Sequence, residues 1–146
     1  MKMRIRIKHV LAIVLSLALL LPCTVRADGI QPYSSGQIKV YNASISRETN
    51  RRLTVSYYIM CNNVMEILGA SSVLIQRKDG GSWSSEYTFN IRDYPMMQAS
   101  NSGKYQWSIT YTPKYDGKQY RAQVFFYARD SFGSDTAIKT TNQVVS

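Results

Sequence analysis

Residues 37–146 are predicted to form an all-β domain, a single antiparallel sandwich of about seven strands. Three observations carry that expectation. Apolar and polar side chains alternate with a period of two, β-branched and aromatic residues concentrate in the alternating stretches, and turn-forming residues separate them. No stretch shows a sustained helical period; "NNVMEILGA" (62–70) has room for one helical turn at most.

The chain begins with a targeting pattern. "MKMRIRIK" places Lys2, Arg4, Arg6 and Lys8 ahead of the apolar run from Val10 to Leu21. That run is too short to span a bilayer but suits a secretory signal. Pro22 breaks it, and Val25 and Ala27 are small enough for cleavage after Ala27. Lipid attachment at Cys23 would need a better context than the preceding Pro22 supplies. Residues 1–27 are therefore expected to be a signal peptide and 28–36 a short leader. The product is expected outside the cell, secreted or envelope-associated, and the short arginine-rich signal suggests a bacterium of Gram-positive type.

Removing residues 1–27 takes five of the 18 basic residues, leaving 13 against nine acidic ones, a net charge of +4. A scattered charge of that size suits mild affinity for anionic surfaces and is no nucleic-acid footprint. Only Cys61 remains, so no internal disulfide is available and the core must supply the stability.

The elements follow in order. "QIKVYNASI" opens the domain. "LTVSYYIMC" places Leu53, Val55, Tyr57, Ile59 and Cys61 on one face. "SSVLIQRK" turns Val73 and Ile75 inward and Leu74 and Gln76 outward. "DGGS" (79–82) tolerates the positive φ of a tight hairpin. "WSSEYTFNI" returns with Trp83, Ser85, Tyr87, Phe89 and Ile91 on one side, and residues 92–103, "RDYPMMQASNSG", are read as a long loop. "KYQWSITYT" alternates Tyr105, Trp107, Ile109 and Tyr111 with polar residues. In "KQYRAQVFFYARD", Tyr120, Ala122, Val124, Phe126 and Ala128 make an apolar face, with Arg121, Gln123, Phe125, Tyr127 and Arg129 opposite. "DSFGSD" turns tightly into the last strand, "TAIKTTNQVV".

"YTPKYDGKQYRA" (111–122) resembles the approach to the sixth strand of immunoglobulin-like domains. The resemblance implies that Tyr120 is a corner tyrosine bonded to upstream backbone, and that Ala122 stands where antibody domains carry cysteine. "ARDSFGSDT" is similar to the turn between the last two strands of fibronectin type III modules. Paired cysteines and a tryptophan in "SSVLIQRK" are lacking, so the likeness is to an immunoglobulin-like β-sandwich rather than to the antibody branch. With its "GGSW" hairpin and "YRA" strand, the chain also resembles small secreted bacterial proteins of uncharacterised function.

The chemistry is narrowed by one count. The single histidine, His9, lies in the signal segment, so the mature chain lacks imidazole for nucleophilic triads, metal ligation or switching near neutral pH. Glu48, Glu66, Glu86 and Asp93 are the available carboxylates, but none has a distinctive context for glycoside hydrolysis. Asp130 and Asp135 bracket the "SFGS" turn without calcium-loop spacing, and read as turn caps. No catalytic residue, metal site or cofactor is expected; the chain is not expected to be an enzyme.

Binding is what remains. If the third, sixth and seventh strands share a sheet, Leu74 neighbours Phe125 and Tyr127 on its outer face, bordered by Arg121, Arg129, Gln76 and Lys78. Aromatic rings beside arginine and glutamine suit a protein partner, stacking of sugar rings, or an anionic wall polymer. An N-terminal segment around Tyr33, or a homodimer, would cover the same rings. Trp83, Phe132 and the pair Met96–Met97 are second candidates, at the tips. The expected role is a non-catalytic binding or accessory module that contacts protein or glycan at the cell envelope. It is not expected to bind nucleic acid or to insert stably into membranes once the signal is cleaved. The alternative is a secreted cationic effector, toxin-like or antimicrobial, acting on membranes.

Overall fold

The computed structural model describes residues 36–146; the signal segment, Cys23, the cleavage position and Tyr33 lie outside the described residues. Among the described residues, seven antiparallel strands form one hydrogen-bonded sheet: β1 (Ile38–Arg47), β2 (Leu53–Asp79), β3 (Ser82–Asn90), β4 (Gln98–Tyr111), β5 (Gln119–Asp130), β6 (Gly133–Thr140) and β7 (Val144–Val145). Two short 3-10 turns, Thr49–Arg51 and Pro95–Met97, join strands.

β2 organises the molecule because it changes neighbours along its length. Its first half lies between β1 and β4, with Val55 opposite both Ile45 and Ile109. Its second half lies between β3 and β5, with Val73 opposite both Phe89 and Val124. β6 pairs with the far side of β5, and β7 with the start of β5. The sheet folds back on itself, so Phe126 of β5 packs its ring against Tyr41 of β1 (5.4 Å) and Tyr57 of β2 (5.9 Å). A continuous strand that turns this corner needs irregular pairing there. Register shifts occur between Met60 and Met65, and between Ala70 and Ser72.

Gly69 is required at that corner. Its φ is +148°, and an added Cβ would stand 2.3 Å from the Met97 carbonyl oxygen and 2.7 Å from Gln98 Cα. Backbone, not a movable side chain, fills the space.

Alternation sets the core. Leu53, Val55, Tyr57, Ile59 and Cys61 are buried, as are Val73, Ile75, Tyr120, Ala122, Val124, Phe126 and Ala128. They form one cluster, against which Tyr105, Trp107 and Tyr111 pack while half-buried. At roughly 25 cal/mol per Å2, burial of such rings and branched chains is the main term that opposes chain entropy. Tyr57 donates its hydroxyl to the Met97 carbonyl at 2.7 Å, so its one polar atom is satisfied.

Several expectations are corrected. Residues 62–70 make no helical turn; they are the continuation of β2, which fuses two stretches expected to be separate strands. The expected loop 92–103 is ordered strand from Gln98 onward, because residues 98–102 pair with 65–69 of β2. Met97 is fully buried rather than a loop tip, while Met96 is exposed. The last expected strand divides into β6 and β7. In β3 the single-faced set fails: the register skips Glu86, so Tyr87 and Phe89 lie opposite the inward Ile75 and Val73, whereas Trp83 and Ser85 lie opposite the outward Lys78 and Gln76.

Candidate functional site

The second half of β2, with β3, β5 and β6, presents the face that carries most of the singled-out residues. Register fixes its membership, since residues opposite one another in an antiparallel pair project to the same side. Leu74 lies between Thr88 and Gln123, Gln76 between Ser85 and Arg121, and Lys78 beside Trp83. Phe125 lies between Ser72 and Ile138, and Tyr127 between Gly69 and Thr136. Arg129 faces Ile67 and Ser134.

Leu74 is therefore opposite Gln123 and only diagonal to Phe125. Tyr127 stands further along, because the bulge at Ser71 offsets the ladder; the Ser71 hydroxyl donates to the Phe125 carbonyl at 3.1 Å. Leu74, Phe125 and Tyr127 are half-buried, whereas Ile138 beside Phe125 is half-exposed at 50%. Between Trp83 and Arg129 the paired positions of this face carry Lys78, Arg121 and Arg129 and no carboxylate. Glu66, at the rim, reaches Arg129 at 3.9 Å.

Arg121 is the best-held cation of this face. Its Nε donates to Gln76 Oε1 at 2.8 Å, and its guanidinium lies 4.3 Å from the Trp83 ring centroid. Lys78 approaches the same ring at 5.9 Å. A guanidinium ordered by a ring face and an amide retains donors for a partner while losing little further freedom on binding. Trp83, expected at a loop tip, is instead part of the face. Phe132 is at a tip: it is 94% exposed in the β5–β6 turn, whose Asp130 carboxylate accepts the Phe132 and Gly133 N–H groups at 2.8 and 3.0 Å. Asp135 accepts the Ile38 and Thr136 N–H groups. Asp130 also accepts from Gln37 Nε2 at 3.0 Å, so both aspartates are engaged within the fold.

The other outward face, on β1, the first half of β2, and β4, was missed. Its cross-strand rows are Ser46–Thr54–Thr110, Ser44–Ser56–Ser108 and Asn42–Tyr58–Gln106. A shallow depression of about 580 Å3 runs over the last two rows, with the Ser56 and Ser108 hydroxyls 2.9 Å apart. The outward positions of "YNASIS", "TVSYY" and "YQWSIT" were the available signal.

A third cluster lies where β3 and β4 approach. Arg77 bonds Asp79 at 2.7 Å, reaches Glu86 at 3.4 Å and stacks 4.0 Å over the Tyr115 ring. Tyr111 donates to Glu86 at 3.2 Å, and burial with that neighbouring carboxylate pushes its phenol well above the usual tyrosine range. Glu48 accepts from Thr54, Glu66 reaches Arg129, and Asp93 is exposed, so these carboxylates are engaged separately. Burial, with the Asp135 carboxylate adding, pushes the Cys61 thiol up to about 11, which holds it protonated and unreactive at neutral pH.

No protein-family model matches the chain, and no curated protein matches it.

Proposed function

We propose that this is an exported, non-catalytic binding module of immunoglobulin-like architecture, acting on a protein or glycan at the bacterial cell envelope. The architecture is supported by the neighbour order: the second half of β2, then β5, then β6, the arrangement expected of the third, sixth and seventh strands. It is supported also by Tyr120, which is fully buried and donates its hydroxyl to the Tyr115 carbonyl at 3.3 Å, as a corner tyrosine does.

One observation carries the function. A sheet face holds Trp83, Phe125 and Tyr127 among Lys78, Arg121 and Arg129, with no carboxylate at its paired positions. Rings stack on apolar sugar faces or partner side chains, and the ordered guanidinium adds directional bonds to carboxylate or phosphate. Such a face favours anionic envelope glycans or acidic protein surfaces over neutral ones.

Sedimentation of the protein with isolated envelope preparations tests this. Wild type should co-sediment, less at high salt, and an Arg121→Ala, Phe125→Ser, Tyr127→Ser variant should lose at least tenfold in affinity. Equal binding by the folded triple variant would overturn the assignment.

A further inference from the structure

Sheet edges are exposed to unwanted pairing, because an unpartnered strand offers N–H and C=O groups to any extended chain. Two edges of this fold are treated differently. Along β1, the Asp135 carboxylate accepts the Ile38 N–H at 3.0 Å. The Asn142 side chain accepts the Ile45 N–H at 3.0 Å and donates to the Ile45 carbonyl at 2.9 Å, imitating a neighbouring strand.

β4 pairs only with β2 among the described residues. Its one edge device is Ser102, whose hydroxyl donates to the Lys104 carbonyl at 2.7 Å and accepts the Lys104 N–H at 3.4 Å. These bonds show that the Lys104 backbone faces away from β2. Alternate residues of an antiparallel ladder bond to the same side, so Gln106, Ser108 and Thr110 also direct N–H and C=O outward. Among the described residues nothing bonds those groups. The run "KYQWSITY" (104–111) contains one charge and no proline, the two usual means of blunting an edge.

We propose that β4 is an interaction edge that pairs with β4 of a second copy of this chain, antiparallel about a twofold axis at Ser108. A twofold interface must be self-complementary, and this run is. With the axis at Ser108, the two copies of Ser108 face each other and Gln106 faces Thr110. Trp107 faces Ile109, and Tyr105 faces Tyr111. Lys104, the lone cation, faces Thr112 instead of its own copy. Aromatic–aromatic and aromatic–β-branched pairs are the favoured cross-strand neighbours, and like charges directly opposite are the disfavoured ones. The paired edges would give a sheet continuous across both copies, held by backbone bonds. The surface is distinct from the aromatic basic face, so either assignment can fail alone.

Light scattering after size exclusion, over a range of protein concentrations, tests the pairing on protein recovered from expression of the full chain. Wild type should show a concentration-dependent dimer. Ser108→Pro removes an outward N–H that β2 does not use, so a native circular dichroism spectrum with at least tenfold weaker dimerisation is expected. Ser108→Lys places two ammonium groups opposite each other and should do the same if the proline variant misfolds. Ser108→Cys should cross-link under mild oxidation, since hydrogen-bonded partners stand about 5.5 Å apart between Cα atoms, within disulfide range. Thr110→Cys, whose two copies are far apart in this register, should not. A monomer at all concentrations without Ser108→Cys cross-linking, or a dimer that survives both Ser108→Pro and Ser108→Lys, would overturn the proposal.

Discussion

The two outward faces of this sheet are built on the same strand, yet they differ in kind. The first half of β2 turns Thr54, Ser56 and Tyr58 outward among serine, threonine, asparagine and glutamine. The second half turns Leu74, Gln76 and Lys78 outward among tryptophan, phenylalanine, tyrosine and arginine. Beneath both, the inward residues are alike: valine, isoleucine, alanine, leucine and aromatic rings in one cluster. Packing therefore dictates the inner set and leaves the outer sets free to diverge. A neutral face of small hydroxyls offers little area for tight contact, whereas a face of rings and ordered cations offers both area and charge.

The largest expected effect tests whether inner and outer positions differ as sharply as their burial. Phe126→Ala should cost about 3–5 kcal/mol in denaturant unfolding, as deletion of a buried ring does. Phe125→Ala, one residue away on the outer side, should cost only about 1 kcal/mol. Equal costs would remove the distinction between the faces.

Next comes alkaline stability beneath the hydroxyl-rich half. The folded Cys61 thiol is raised from its ordinary 9.0 to about 11. Below about pH 9 it is neutral in both states and costs nothing. As pH rises further the unfolded chain ionises first, so stability falls up to about pH 11. The loss should total roughly 2–3 kcal/mol at 1.4 kcal/mol per unit. Urea melts at pH 8 and pH 10.5 should show a steeper decline for wild type than for Cys61→Ala; parallel declines would contradict it.

Smaller effects sharpen the contrast between the outer sets. Trp83→Ala should cost about 0.5–1 kcal/mol, as an exposed ring–guanidinium contact is lost, and should loosen Arg121 enough to weaken envelope binding. Ser108→Ala should shift stability by less than about 0.5 kcal/mol and leave envelope binding unchanged. Reversed results in the two assays would move the binding face to the other side.

The inner set was legible because a period of two survives in sequence wherever a strand has one dry side. That is why Tyr120 to Ala128, Leu53 to Cys61, and Val73 with Ile75 could be placed from residues alone. What escaped were departures from period. Asn62, Asn63 and Val64 are exposed in succession where β2 turns its corner, and a polar pair there reads as a turn rather than as one strand continuing. "QASNSG" (98–103) has a loop's composition, and only its pairing with 65–69, past the close approach at Gly69, makes it strand. The skip at Glu86 turned Ser85 and Trp83 to the face opposite Tyr87 and Phe89. Of the candidate face, the outward arginines and rings of β5 could be found from alternation. The stacking of Trp83 on Arg121 could not, because it depends on which residues the β2–β3 hairpin sets opposite each other.

The unbroken run of β2 has one more effect. Where two strands are usually joined by a connector of adjustable length, this chain has hydrogen-bonded ladder on both sides of a bend only a few residues long. An insertion there would displace every following pair and turn dry side chains toward water. New specificity at that end must therefore come from exchanging side chains rather than from lengthening a loop, which makes broad flat surfaces, not flexible tips, the variable part of this molecule.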